Sequence, residues 1–283
     1  MHPQRYIIIM LICFTGYITV HSVLIVLSKD MHRVGTDQLS GNRIRIEQAV
    51  YSPIHEDNVL LGSSLSAGLQ LPNTLNLALQ GGAVIDGLEA LSFQQELPKR
   101  CWIEINVLQR TSKKLIPPDH DIKKHLPFLQ HRNSPSVLTM SALKSIQSEK
   151  SDLTPNTIPE RNEKETTKWK QLVKRQQEIQ NSPINPTKNC NHYKQLRKKI
   201  LELQNKGVEL IFYEVPREPL LADSPQATSL RSWVYQNFPE HSIFQPELKH
   251  FQTTDGIHLS SIAREEFENI LGKNSCLSSP STH

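Results

Sequence analysis

The stretch Asp57–Gly82, DNVLLGSSLSAGLQLPNTLNLALQGG, decides how this chain is read. Asn58–Leu61 is a short apolar run without polar alternation, the pattern of a strand covered on both faces, as in parallel sheets. Gly62-Ser63-Ser64-Leu65 is a turn of small residues that lifts a serine off the end of that strand. Thr74–Ala78 is a second strand candidate, and Asn76-Leu77-Ala78-Leu79-Gln80-Gly81 closes in a glycine turn. The stretch therefore predicts a hydroxyl, at Ser64, and a free backbone N–H, at Gly81, at neighbouring strand ends. These are two parts of an acyl-transfer site: a nucleophile and a donor for the charge that grows on a carbonyl oxygen.

Outward from this stretch, strands and helices alternate. Gly82–Leu97 carries Val84, Ile85, Leu88 and Leu91 at helical spacing and is closed by Pro98. Arg100–Leu108 reads as a third strand, with Glu104 and Asn106 set into an apolar run. Lys188–Lys206 is an amphipathic helix ended by Gly207, a natural helix C-terminal residue. Val208–Val215 is a fourth strand, Ser224–Phe238 a helix with Pro225 in its first turn, Ser242–Phe244 a fifth strand, and Ser260–Leu271 the last helix. This order predicts an α/β fold, a three-layer sandwich with a central parallel sheet of about five strands. Sites in such sheets lie beyond the carboxyl ends of the strands, where Ser64, Gly81, Asn106 and the segment after Val215 all fall.

The flanking segments differ in texture. Tyr6–Leu27 contains no Lys, Arg, Asp or Glu over a length that crosses a bilayer as a helix. Its apolar run is longer than that of a signal peptide and meets no A-x-A-like site before Ser28-Lys29-Asp30, so residues 1–28 read as an uncleaved anchor. Arg5 and the N-terminal amine favour an inside N-terminus, but Lys29 and Arg33 flank the other end, and the charge rule alone is nearly a tie. Residues 29–53 read as a polar stalk, 54–272 as the α/β domain, and 273–283 as a flexible tail. Within the domain, about 109–187 is rich in Pro, Ser, Lys and Gln and reads as a hydrophilic, partly helical insertion, with helices at Val137–Ile146 and Thr166–Ile179. It would cover the site, dock a partner, face the membrane or remain solvated.

Composition narrows the function classes. The formal charge of +4 is spread along the chain, with no basic stripe interleaved with aromatics, which argues against nucleic acid. Cys13 lies in the anchor, and Cys101, Cys190 and Cys276 show no C-x-x-C spacing. A Cys190–Cys276 bridge and free thiols both remain open. No Cys/His cluster has zinc-ligand spacing, and no cofactor is called for.

The base for Ser64 lies far down the chain, in Asp255-Gly256-Ile257-His258, just before the last helix. One turn brings the carboxylate to the imidazole. Aspartate then fixes the ring tautomer and stabilises the imidazolium, while the other ring nitrogen takes the serine proton. The Ser64 amide, the Gly81 amide and the Asn106 side chain are the candidate oxyanion donors. Glu214 and Arg217, after the fourth strand, are weaker substrate-binding candidates. Arg217 suits an anionic group such as a phosphate or carboxylate, and a surface ion pair with Glu218 is the competing reading.

These blocks resemble those of the SGNH hydrolase superfamily, which includes the GDSL-type esterases. Gly62-Ser63-Ser64-Leu65 is similar to the family's G-D-S-L block, with Ser63 in place of the aspartate and Ser64 as nucleophile. Asn76 to Gly81 resembles N-x-G/A-x-x-G, with Gly81 in the oxyanion role. Asn106 resembles the third-block asparagine, in Glu104-Ile105-Asn106-Val107 instead of G-x-N-D. Asp255 and His258 match the final D-x-x-H. The resemblance covers Asn58–Leu108 and Val208–Leu271 and implies the flavodoxin-like SGNH fold and a Ser-His-Asp triad.

With an N-terminal anchor and a hydrophilic insertion, the chain resembles the membrane-tethered bacterial members that assist D-alanine transfer or exopolysaccharide acetylation beside membrane-bound O-acyltransferases. That implies a single-pass protein of the bacterial inner (cytoplasmic) membrane, with its domain on the periplasmic or extracytoplasmic side. It also implies a serine esterase or O-acyltransferase acting on an acylated glycan or cell-envelope polymer. The alternative is a non-catalytic scaffold of the same fold, accessory to a membrane-bound O-acyltransferase.

Overall fold

A computed structural model describes residues 3–28, 33–148, 163–186, 189–246 and 251–277. In chain order the first helices are α1 (Pro3–Leu27), α2 (Gln38–Tyr51), α3 (Val84–Leu91), α4 (His120–His125) and α5 (Pro135–Ser148). They are followed by α6 (Glu163–Gln180), α7 (Cys190–Asn205), α8 (Pro219–Ala222), α9 (Pro225–Asn237) and α10 (Ser261–Leu277). The strands are β1 (Asn58–Leu61), β2 (Thr74–Asn76), β3 (Arg100–Glu104), β4 (Glu209–Tyr213) and β5 (Ile243–Phe244). The chain divides into two compact units, residues 1–51 with 115–154, and residues 52–114 with 155–283.

The larger unit is an α/β fold around a five-stranded, all-parallel sheet in the order β2-β1-β3-β4-β5. Side chains alternate across each strand, so adjacent residues serve opposite faces. Leu60, Trp102, Tyr213 and Val215 form one buried cluster with Ala263, Phe267 and Leu271 of α10. Their neighbours face the other way: Leu61 meets α3 at Gly87, and Phe212 stacks against Phe238 beside α9. On α7, Tyr193, Leu196, Ile200 and Leu203 are buried at helical spacing, and Tyr193 meets Trp233 of α9. Helices thus cover both faces, which is why the strands read as unbroken apolar runs. Burying one ring the size of Phe267 stabilises the fold by about 1.5–3 kcal/mol.

The expected elements form, with shifted ends. The third strand stops at Glu104 because Ile105–Leu108 turns away, Leu108 N donating to Ile105 O. Helix α3 spans only Val84–Leu91, well short of Pro98. The last helix continues past Gly272 to Leu277, so part of the expected flexible tail is helical, and residues 278–283 lie outside the described residues.

The expected stalk, 29–53, is corrected more strongly. Gln38–Tyr51 is helix α2, and it buries Ile44, Ile46, Glu47, Ala49 and Val50. Its apolar residues were too irregularly spaced to announce an amphipathic face. The insertion is also divided: residues 115–148 belong with α1 and α2, and 163–186 with the α/β unit, while 149–162 lie outside the described residues. Cys101 and Cys190 are free thiols, and the side chain of Cys276 is among those not described.

Candidate active site

Strand β1 ends at Leu61, and the chain turns so that Ser64 is half-buried while Gly62, Ser63 and Leu65 are buried. Leu65 and Leu69 sink into the α10-side core and fasten the loop on its far side. The neighbouring loop runs alongside, Leu77 N donating to Leu60 O and Leu79 N to Gly62 O. Asn76 joins the two loops with its side chain. Its Nδ2 donates to Ser66 O and Leu69 O, each at 2.8 Å, and its Oδ1 accepts from Ala78 N at 2.8 Å.

The far-off turn at Asp255–His258 meets this serine. His258 Nε2 lies 3.0 Å from Ser64 Oγ, and His258 Nδ1 lies 2.8 Å from Asp255 Oδ2. A carboxylate only accepts, so Nδ1 carries the ring proton and Nε2 accepts from the serine hydroxyl. Asp255 Oδ1 also takes the Ile257 and His258 amides, at 3.1 and 2.8 Å, which closes the turn on itself. Partial burial pushes the Asp255 carboxyl up, but the His258 ring and these amides together hold it below its ordinary value. Gly256 within the turn has φ +96°, a conformation open to glycine. The turn is pinned from outside, Glu218 N donating to Gly256 O at 2.9 Å, with Val173 of α6 packed over Gly256.

Of the oxyanion candidates, neither the Ser64 nor the Gly81 amide has a protein acceptor among the described residues, and both residues are half-buried. Asn106 is committed elsewhere. Its Nδ2 donates to Val215 O at 3.0 Å and its Oδ1 accepts from Val215 N at 2.8 Å, a buried two-point clasp on the chain leaving β4. It serves the sheet end as a clamp on backbone.

Glu214 and Arg217 also depart from expectation. Both are buried and paired with each other, Arg217 Nη2 to Glu214 Oε1 at 2.8 Å, and not with Glu218. Arg231 donates to both Glu214 oxygens, and Gln180 of α6 accepts from Arg217 Nη1. Their charges are thus spent on each other and on neighbouring side chains instead of being held open for a substrate anion.

The residue that sequence reasoning passed over is Glu104, which is fully buried at the end of β3. Its carboxylate accepts from Ser63 N at 2.8 Å, Ser63 Oγ at 2.9 Å and Ser66 Oγ at 2.6 Å. Tyr213 OH in turn donates to Ser66 Oγ at 2.6 Å. The carboxylate lies so close to Gly62 that a Cβ there would collide with it. Burial raises the Glu104 pKa above its ordinary value against the hydrogen bonds from Ser66 and Ser63. The one sequence signal was an acid inside a buried strand, a position that demands partners.

Chemically, the arrangement is a hydroxyl, a base and an orienting acid in hydrogen-bonded series at the carboxyl edge of a parallel sheet. Among the described residues no three His, Cys, Asp or Glu side chains gather as metal ligands. No family model, no curated protein and no solved structure matches this chain.

Proposed function

We propose that the protein is a membrane-anchored serine esterase or O-acyltransferase of the SGNH type, acting on acylated glycans or cell-envelope polymers. The observation that carries this reading is the continuous series Ser64 Oγ–His258 Nε2 and His258 Nδ1–Asp255 Oδ2, at 3.0 and 2.8 Å. Ser64 Oγ attacks the ester carbonyl while His258 Nε2 takes its proton, and Asp255 stabilises the imidazolium. The Ser64 and Gly81 amides donate to the oxyanion. Collapse breaks the ester C–O bond, and His258 returns the proton to the leaving alcohol. Water or a sugar hydroxyl then attacks the acyl-enzyme, again through His258, and frees Ser64. The α/β fold, the strand order and the acidic group at the Ser64 turn, here supplied by Glu104 in place of residue 63, support the family assignment.

The anchor reading is supported by α1 itself, a helix of 25 residues that is long and apolar enough to cross a membrane. A cleaved leader has no reason to belong to a folded unit, yet His21 of α1 is buried and bonded to Asn133. On this reading the domain lies on the extracytoplasmic side and works beside a membrane-bound O-acyltransferase.

Fluorophosphonate labelling and acetyl-ester turnover test the catalytic reading. The wild type is expected to label and turn over, and Ser64→Ala to lose both. A non-catalytic accessory role is the second reading, favoured by the commitment of Asn106 to backbone. Folded wild type that neither labels nor hydrolyses favours it over the catalytic reading.

A further inference from the structure

We infer that the small unit formed by residues 1–51 and 115–154 is seated in the membrane interface, with the turns at 122–133 immersed at the boundary of headgroups and acyl chains. This rests on the reading of α1 as a membrane span.

The last three turns of α1 are not free. His21 is buried, and Ile18, Ser22, Ile25 and Ser28 are half-buried, a stripe at helical spacing, while the residues between them are exposed. The cover comes from the 3₁₀ turns Pro127–Leu129 and His131–Asn133: the first touches α1, and Asn133 O of the second accepts from His21 Nε2 at 2.7 Å. These turns are rigidly held. Glu47 of α2, buried, accepts from His131 N and Arg132 N at 2.9 and 2.7 Å. Ser40 Oγ meets His131 Nε2 at 2.8 Å, and Asn133 Nδ2 donates to Pro127 O at 3.0 Å.

Length then forces the placement. At 1.5 Å per residue, His21 lies about 9 Å inside the end of α1 at Leu27, and Ile18 about 14 Å. If the covered turns stood wholly in water, only Pro3–Tyr17 would remain to span, about 22 Å, against a hydrocarbon core of about 30 Å. The covering turns must therefore enter the interface together with the helix they grip.

Their surface fits that location. Ile122 is 58% exposed, Leu126 40% and Leu129 43%, beside exposed Lys124 and His125. Leu39, Leu143 and Ile146 of the same unit are exposed as well. Large apolar side chains with basic neighbours are what an interfacial segment presents to acyl chains and headgroups. Continuity with α1 makes lipid the occupant of this face.

The test uses the full chain with Cys13→Ser, Cys190→Ser and Cys276→Ser, leaving Cys101 buried. A fluorophore is placed singly by Met10→Cys, Ile122→Cys or Leu129→Cys, in nanodiscs of phosphatidylcholine and phosphatidylglycerol. Lipids carrying nitroxide near the headgroup are expected to quench the labels at 122 and 129 several-fold more than dissolved iodide does. Quenching at Met10→Cys by lipid nitroxide, with iodide alone quenching both other labels, overturns the seating but keeps the anchor. Labels at 122 and 129 shielded from both quenchers but close to one another between chains show a second copy on this face and overturn it too. Failure of lipids carrying nitroxide deep in the acyl chain to quench Met10→Cys overturns the anchor reading itself.

Discussion

At the scale of single residues, the centre of the candidate site is held by a carboxylate that stands outside the Ser64–His258–Asp255 series. Glu104 gathers Ser63 N, Ser63 Oγ and Ser66 Oγ, and so sets the backbone that carries Ser64. An amide at that position can accept through one atom only. Glu104→Gln is expected to lower kcat for ester turnover by about tenfold, equivalent to about 1.4 kcal/mol, with KM nearly unchanged. Glu104→Ala leaves the Ser63 amide and the Ser66 hydroxyl without an acceptor and costs about 1–3 kcal/mol per buried group in denaturant unfolding. The pH dependence has a defined sign. Because burial raises the folded-state pKa of Glu104, the folded state binds more protons than the unfolded state in the window between the two values. Its contribution to stability is therefore greatest below the unfolded pKa and falls as pH rises through that window. Glu104→Gln should flatten this part of the stability profile; an unchanged slope would show that the carboxylate is not the group responsible. Little of this was legible in the sequence. Glu104 stood out as an acid in an apolar run, but its partners are 38 to 41 positions away, brought together by the pairing of β1 with β3.

At the scale of elements, the Ser64–His258–Asp255 series depends on two turns delivered by different parts of the chain. The turn at Ser64 is fixed by the end of β1, by the Asn76 clamp and by Leu65 and Leu69 in the core. The turn at His258 relies on Gly256 and on α6, whose Val173 lies over it. Gly256→Ala puts an L side chain at φ +96° with its Cβ 3.1 Å from Val173 Cγ2. Left-handed backbone costs such a residue about 1–2 kcal/mol, so labelling and turnover should fall several-fold while the circular dichroism of the sheet domain is kept. Helix α6 was legible as a charged helix at Thr166–Ile179, close to its observed Glu163–Gln180. Its docking was not, because Val173 and Gln180 gain their meaning only from the Gly256 turn, Arg217 and Ser224. The expected roles of Asn106, Glu214 and Arg217 miscarried for a related reason. Polar residues at a sheet's carboxyl edge point to a site or clamp the backbone that frames it, and residue type alone does not distinguish the two.

At the scale of the whole molecule, the proposed reading requires the α/β unit to lie outside the cytoplasm. Protease added to intact spheroplasts should digest it, whereas protection until lysis would assign the opposite orientation. The near-balanced charges around α1 leave the direction to this experiment. The sequence by itself determined the class of fold, since apolar strands alternating with amphipathic helices bury themselves in one general way, as a covered parallel sheet. It also determined the three triad candidates, because Gly-Ser-Ser-Leu and Asp-Gly-Ile-His are short motifs that can be read without knowing what packs against them. Tertiary structure alone decided what was long-range: the meeting of Ser64 with His258 across 194 positions, and the division of the insertion between two units. It also decided that Glu104, and not residue 63, brings the acid to the serine turn. Contacts of that kind depend on which elements pack together, and packing is set by the shapes and burial of the whole chain, not by any single stretch of it.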